Sequence, residues 1–445
     1  MNKKYIILIL IMLFFTTLVG CNNNSDPGKV DTKSEALLYN EANNTFLYFM
    51  ETTNFDENSI GYGMARDRYP NSPSLSSIAA TGFMLASLPY GVENNLISFD
   101  EAKHKATKTL NTLVEMEHTS GFYYHFVNMK TTNRSPGSEV SIIDTGLLLA
   151  GAIVAAEYFK GEVKNQMQVI YDRINWDFYI NKTRNMFYMG YQPEKGFSGA
   201  WDHVSEQLLL YVLAAGSSTY PTGNSLYRTV KSIANSNYKG AYRSTNYETD
   251  TYIYSYNGSL FQHQFSHAFI DFRNIVDKDN TNWHENARQA TLANYYYTKD
   301  NKEKYKAYEK AWGLSASDHP KGYLAFGAEL AKNSTHNGTI APYASIASVN
   351  YTKELTFEAL KYFDTLEELK GDYGYKDAFN LGPVDPNYNP IIDAVTPWYA
   401  NDYIGIDKGI TLLMIANYQS DLIWNLFMKN ENVKRGLEIL EFKKS

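Results

Sequence analysis

Apolar residues recur at helical spacing along almost the whole chain, from Ser34 to the C-terminus. The spacing predicts helices over 34–52, 74–88, 98–116, 141–159, 164–174 and 204–215. Six more follow over 260–275, 283–297, 302–312, 352–369, 408–417 and 421–437. Segments 142–159 and 208–214 are apolar nearly all round, whereas 302–310 is charged at most positions. A helix without a polar face has to be enclosed by others, so the contrast separates inner from outer helices. About a dozen helices of two kinds predict an all-α (α/α)6 toroid, with six inner helices running parallel around a funnel. An α-solenoid is the rival, but no repeat of fixed period is visible. Short aromatic segments at 121–126 and 186–191 alternate like small strands, too few for a main sheet, and are expected at the funnel mouth.

The N-terminus breaks this pattern. Lys3 and Lys4 precede an apolar run of about 15 residues, shorter than the ~20 of a membrane-spanning helix, and Leu18-Val19-Gly20-Cys21 follows. Residues 1–20 therefore read as an export signal, with Cys21 as the lipid-bearing first residue of a lipoprotein in the bacterial cell envelope. Residues 21–33 are polar and read as a flexible tether. A single domain is expected over 34–445, acting as a monomer, with no later stretch apolar enough to span a membrane and the lipid as its sole membrane contact. Cys21 is the single cysteine, so no disulfide or Cys-based metal site is expected. Removing Lys3 and Lys4 takes the formal charge from -7 to -9, and no basic run remains, which argues against nucleic acid as a partner.

Aromatics make up 15% of the chain, with 37 Tyr and 6 Trp, more than a core of this size requires. Sugars offer one reason, because their C–H faces stack on rings whose phenol or indole groups still hydrogen-bond; a compositional habit of the source is the other. Two acids stand at the entrances of apolar helices, Asp144 and Glu206. Ser141-x-x-Asp144 matches a capping box, which gives Asp144 a purely structural alternative. Asp202 is the better N-cap for the next helix, so Glu206 is expected one turn in, with an ion pair to a neighbouring helix as its bland reading. Parallel inner helices bring both acids to one mouth, as glycoside hydrolysis requires of its proton donor and its ionised partner. A helix N-terminus favours the anion at Asp144, while apolar surroundings raise Glu206; Glu206 is thus expected to be the general acid and Asp144 the ionised partner.

Other candidates are less specific. His263, His267 and Asp271 fall four residues apart, a spacing that could chelate a metal but lacks further ligands, so sugar binding or helix packing is expected and no metal or other cofactor. His203 lies beside Glu206. Asp67, Arg68, Trp312 and Asp318 occupy loop segments suited to a pocket, with Trp312 either a stacking platform or a core aromatic. Asp377, Asp393, Asp402 and Asp407 are spread through a loop-rich stretch with Trp398 and Tyr399, and their spacing ranks none of them.

Taken together, these segments resemble the bacterial glucoamylase-like family that includes the endo-β-1,2-glucanases of glycoside hydrolase family 144. The resemblance runs through Asp67-Arg68, Ser76-Ser-Ile-Ala-Ala-Thr-Gly-Phe83, Glu139-Val-Ser-Ile-Ile-Asp-Thr-Gly-Leu147, Trp201 to Gly216 and Gln264-Phe-Ser-His-Ala-Phe-Ile-Asp-Phe-Arg273. It continues through Glu285 to Thr291, Trp312 to Asp318, Gly338 to Pro342, Tyr373 to Asn380 and Gly405-Ile-Asp-Lys-Gly409. It implies an (α/α)6 fold, β-1,2-glucan as substrate, no metal, and catalysis by acids of the Glu139–Asp144 and Glu206 segments. The chain departs from the family at Lys408, where Gln is usual, and at Gly146, where Ala is. The expected activity is endo-acting, inverting hydrolysis of β-1,2-glucan to sophoro-oligosaccharides. A glycan-binding lipoprotein without catalysis and a hydrolase of another glucan linkage are the alternatives.

Overall fold

The computed structural model describes residues 31–387 and 397–445. The export signal, Cys21, most of the tether and Asp393 lie outside the described residues. Six helices are sheathed in protein: α2 (Ile78–Glu93), α4 (Ile142–Phe159), α6 (Leu208–Gly216), α8 (Phe265–Phe269), α10 (Pro342–Ile346) and α12 (Gly405–Ser420). Between them in the chain run α1 (Thr32–Thr52), α3 (Phe99–Glu115), α5 (Gly161–Arg173), α7 (Ser225–Asn237), α9 (Trp283–Asp300) and α11 (Lys353–Phe363). Helices α13 (Leu422–Phe427) and α14 (Glu431–Ile439) close the chain. Strict alternation of inner and outer helices over twelve elements is the (α/α)6 toroid.

The two kinds of helix follow from their sequences. In α3 the buried positions are Ala102, Ala106, Thr109, Leu110 and Leu113, a stripe three to four residues apart that faces inward while Asp100, Glu101 and Lys108 stay in water. Every residue of α6, α8 and α10 is buried. Helix α4 is long and apolar enough to cross a membrane by length and composition, contrary to the expectation that nothing after the N-terminus would be. Here 89% of it is covered by protein, so it is the central stave of the core. Each of its buried leucines contributes about 1.5–3 kcal/mol relative to exposure.

Helices α2 and α4 touch along bare backbone. A Cβ at Gly151 would stand 1.8 Å from the carbonyl oxygen of Gly82, and one at Gly82 would stand 2.6 Å from the carbonyl oxygen of Leu147. No side chain larger than hydrogen fits this crossing without moving a helix. Four inner helices are entered from short strands: Leu75–Ser77 before α2, Val140–Ser141 before α4, Thr339–Ile340 before α10 and Tyr403–Ile404 before α12. Ser77 and Ser141 then cap α2 and α4, their hydroxyls accepting from the N–H groups of Ala80 and Asp144. These strand-to-helix junctions carry the candidate acids to one end of the ring.

Several predicted boundaries give way to local hydrogen bonding. Asp31 caps α1 at Thr32, so the last two residues assigned to the tether are helical. The helix expected from 204 starts at Leu208, because the Gln207 side chain accepts from the Ser205 N–H and donates to the His203 carbonyl, holding 203–206 as a turn. The helix expected over 260–275 breaks into a 3-10 turn, Leu260–His263, and the five-residue α8. There the Asp271 carboxylate takes the backbone N–H and guanidinium of Arg273, a local turn that competes with helix continuation. Over 302–312 a single 3-10 turn, Lys306–Glu309, forms, because Lys304 and Lys306 bond the backbone of Val384 and Gly382. The stretch expected over 421–437 divides into α13 and α14. Helix α7 was not expected: its buried stripe includes Lys231, which Asp277 neutralises.

Candidate active site

The first turn of α4 carries Asp144, 8% exposed. The Ser141 hydroxyl accepts the Asp144 backbone N–H and donates to its carboxylate at 2.5 Å, so the capping arrangement is real but leaves the second oxygen free. That oxygen lies 3.6 Å from Nε2 of His125, whose Nδ1 is 2.9 Å from the Glu139 carboxylate. Burial works to lower the His125 pKa, but Asp144, Glu139 and Asp67 outweigh it and push it up to about 9. His125 is therefore a cation at neutral pH, bridging two carboxylates. Burial works to raise Glu139, and its bond to this cation overcomes that and lowers it.

Beside this group, Arg68 serves three carboxylates: its guanidinium is 3.1 Å from Asp318, 3.1 Å from Asp402 and 3.6 Å from Asp67. Asp402 also accepts from the backbone and side chain of Asn71, so its oxygens are occupied. Burial raises both Asp67 and Asp318 despite the arginine. Deeper still, Asp377 accepts the Asp318 N–H at 2.6 Å and faces Asp407 in the first turn of α12. Burial and the negative charge of Asp318 push Asp377 up to about 7, and burial with Asp377 beside it raises Asp407. Both carboxyls are thus biased toward the protonated form. Behind them Lys408 forms a buried ion pair with Glu41 at 2.5 Å, so the lysine that departs from the family is neutralised locally.

Glu206 sits in the turn before α6 rather than one turn inside it, and Asp202 caps nothing; it pairs with Arg184 and His203 instead. The Glu206 carboxylate takes the Ser205 hydroxyl, and its carbonyl takes that of Ser266 on α8. Among the described residues no cation pairs with it, which removes the ion-pair alternative. Enclosure, with the charge of Asp144 adding to it, raises its pKa to about 7. The residue as a whole is half-buried.

Not every predicted residue reaches this floor. His263 and His267 are buried and, with Asp271, do not share a helix face; burial pushes His263 down to about 4 and lowers His267 well below its ordinary value. Trp312 is 1% exposed, edge-on to Tyr295 and bonded to the Leu355 carbonyl, which makes it a core aromatic rather than a platform. Trp398 is half-buried in a strand paired to Asn380, and His203 is buried against Tyr238 and Tyr256. Two participants were missed. His125 stood in an aromatic segment read for its strand pattern alone. Tyr323 lies directly across a two-stranded hairpin from Asp318, with 46% of its surface exposed and its hydroxyl raised by burial and by the charges of Asp407, Asp377 and Asp318.

One ligand atom each from His125, Glu139 and Asp144 lies within 4.8 Å of the others, which could hold a metal ion. A metal there would have to displace the His125 proton and the ion pairs it makes, and the three residues satisfy each other without one.

An (α/α)6 toroid with carboxylates gathered at the inner-helix entrances thus defines the class of protein. Residues 198–431, just over half of the chain, match the Glycoamylase family model, described as "Putative glucoamylase". The chain belongs to this family. It is similar to the exo β-1,2-glucooligosaccharide sophorohydrolase (non-reducing end) of Parabacteroides distasonis, 26% identical over 443 residues that cover 91% of this chain and 57% of that one. The chain thus spans little over half the length of that curated relative. Among solved structures, one from Bacteroides uniformis with the same glucoamylase description superposes with a TM-score of 0.79 at 28% identity, covering 92% of this chain and 98% of that one. The endo-β-1,2-glucanase of Chitinophaga pinensis, solved with sophorotriose and glucose, gives 0.78 at 25% identity over 92% and 99%.

Proposed function

We propose that the protein is a glycoside hydrolase of β-1,2-glucan in which Glu206 is the general acid and Asp144 the ionised partner. The observation that carries this reading is a carboxyl without a cation, raised to about 7 by enclosure, beside acids paired with His125 and Arg68. Protonated Glu206 gives its proton to the glycosidic oxygen as the C–O bond breaks. Asp144 takes a proton from water, which attacks the anomeric carbon from the opposite face. Glu139 acts through His125, holding the imidazolium against Asp144. The names of the Parabacteroides and Chitinophaga proteins support the linkage.

Incubation with linear glucans of different linkage, followed by reducing-end assay, tests the reading. New ends from β-1,2-glucan alone are expected, and binding without new ends overturns it in favour of a glycan-binding protein. Inversion, which requires carboxyls ~6.5–9.5 Å apart, predicts release of the α-anomer, read by NMR during the first minutes. Endo action predicts a ladder of sophoro-oligosaccharides. The exo sophorohydrolase among the relatives favours a second reading, in which sophorose is the sole early product. The envelope lipoprotein reading belongs to the same proposal: metabolic labelling with a radioactive fatty acid is expected to mark the wild type and not Cys21→Ser. Size-exclusion chromatography of the mature chain is expected to give a monomer.

A further inference from the structure

We propose that Tyr256, backed by His203, is a stacking subsite for the glucan chain some residues away from the bond that reacts; this rests on the function proposed above. Tyr256 exposes 44% of its surface although its backbone is pinned, its carbonyl accepting from Lys332 at 2.8 Å and Asn333 at 3.0 Å. The next turn is equally fixed. Gly258, at φ +73°, accepts from the Ala328 N–H, and a Cβ there would stand 2.0 Å from the Ala328 carbonyl oxygen. A large ring held exposed by a rigid loop binds a flat ligand face with little ordering cost.

The ring also packs on the turn that carries Glu206. His203, three residues before Glu206 in the same turn, lies 5.7 Å from Tyr256 and 5.8 Å from Tyr238, and its Nδ1 is 3.2 Å from Asp202. Tyr254 packs 5.7 Å from Tyr238, and the Lys332 ammonium stands 5.4 Å over the Tyr238 ring. The surface thus offers an aromatic face flanked by Lys332, Asp202 and Arg184, groups able to bond sugar hydroxyls. Phe197, by contrast, is stacked by Tyr188 and crowded by Tyr191 and Phe178. His203, buried beneath the ring, thus ties the open Tyr256 face to the Glu206 turn.

The test compares the shortest oligosaccharide the wild type cleaves with long linear β-1,2-glucan. Tyr256→Ala is expected to lower kcat/KM about ten-fold more on the long substrate than on the short one, through KM. Tyr256→Phe keeps the ring and should stay within about two-fold of wild type on both. Lys332→Met is a second variant, expected to show the same dependence on length with a smaller loss. Equal losses on both lengths, or none, overturn the subsite. A wild type inert on β-1,2-glucan but active on another linear glucan overturns the linkage alone, and the length comparison is then made on that glucan. A wild type inert on every linear glucan overturns both.

Discussion

Replacing Glu206 by Gln should make the protein more stable at alkaline pH while disabling it. The carboxyl has an ordinary pKa of 4.5 and one of about 7 in the folded protein. The folded state therefore holds this proton more tightly than the unfolded chain does. The stabilisation it brings is complete below pH 4.5 and is lost as pH rises through about 7. The span between those values, at 1.36 kcal/mol per unit, corresponds to about 3 kcal/mol, an upper figure because the residue as a whole is half-buried. Gln has the same shape and no proton to lose, so the stability difference between Glu206→Gln and wild type should widen by up to about 3 kcal/mol from about pH 4 to about pH 8. Urea unfolding of both proteins across that range measures it, and subtraction cancels groups such as Asp377 and Asp407 that titrate in both. Wild-type hydrolysis should fall above about pH 7, because the same proton is the one donated. Stability curves that stay parallel with pH, or a variant retaining near-normal turnover, would refute the assignment.

Arg68→Met strips three carboxylates of their shared cation and should cost about 3 kcal/mol at neutral pH, less in acid as Asp67 and Asp318 take up protons; denaturation at two pH values distinguishes this from lost packing. Lys408→Met leaves Glu41 buried and unpaired, at a cost of about 3–5 kcal/mol. The pair Glu41→Gln with Lys408→Gln should recover most of that loss, which a double-mutant cycle reads. Gly151→Ala drives a methyl into the Gly82 carbonyl and should cost about 2–3 kcal/mol, seen as a lowered thermal midpoint.

The division into inner and outer helices was legible because it is written in composition: α4 has no polar face and α3 has a narrow apolar stripe. Elements decided by tertiary bonds were not legible. Five-residue α8 is too short for periodicity, and the Asp271–Arg273 turn that ends it looks, in sequence, like one more helical turn. The site divided in the same way. Asp144 and Glu206 stood out because each interrupts an apolar run. His125 has nothing unusual around it, and its partners lie fourteen or more residues on or earlier in the chain. Trp312 was ambiguous for the opposite reason, since core and platform aromatics use the same residue type, and its 1% exposure decides for the core. The pairing of Asp377 with Asp407 needs α12 folded beside the loop that carries Asp377.

The bare crossing of α2 and α4 acts as a datum for the mouth of the funnel. Side chains can repack and let helices slide, but two backbones in contact at Gly82 and Gly151 have no such play. The Leu75–Ser77 junction, whose Leu75 carbonyl accepts from the Asp67 N–H, and the one bearing Glu139 and Asp144 are thereby set against each other by steric contact. In a reaction whose stereochemistry turns on a few ångströms between carboxyls, two missing methyl groups some turns away from the chemistry can act as its ruler.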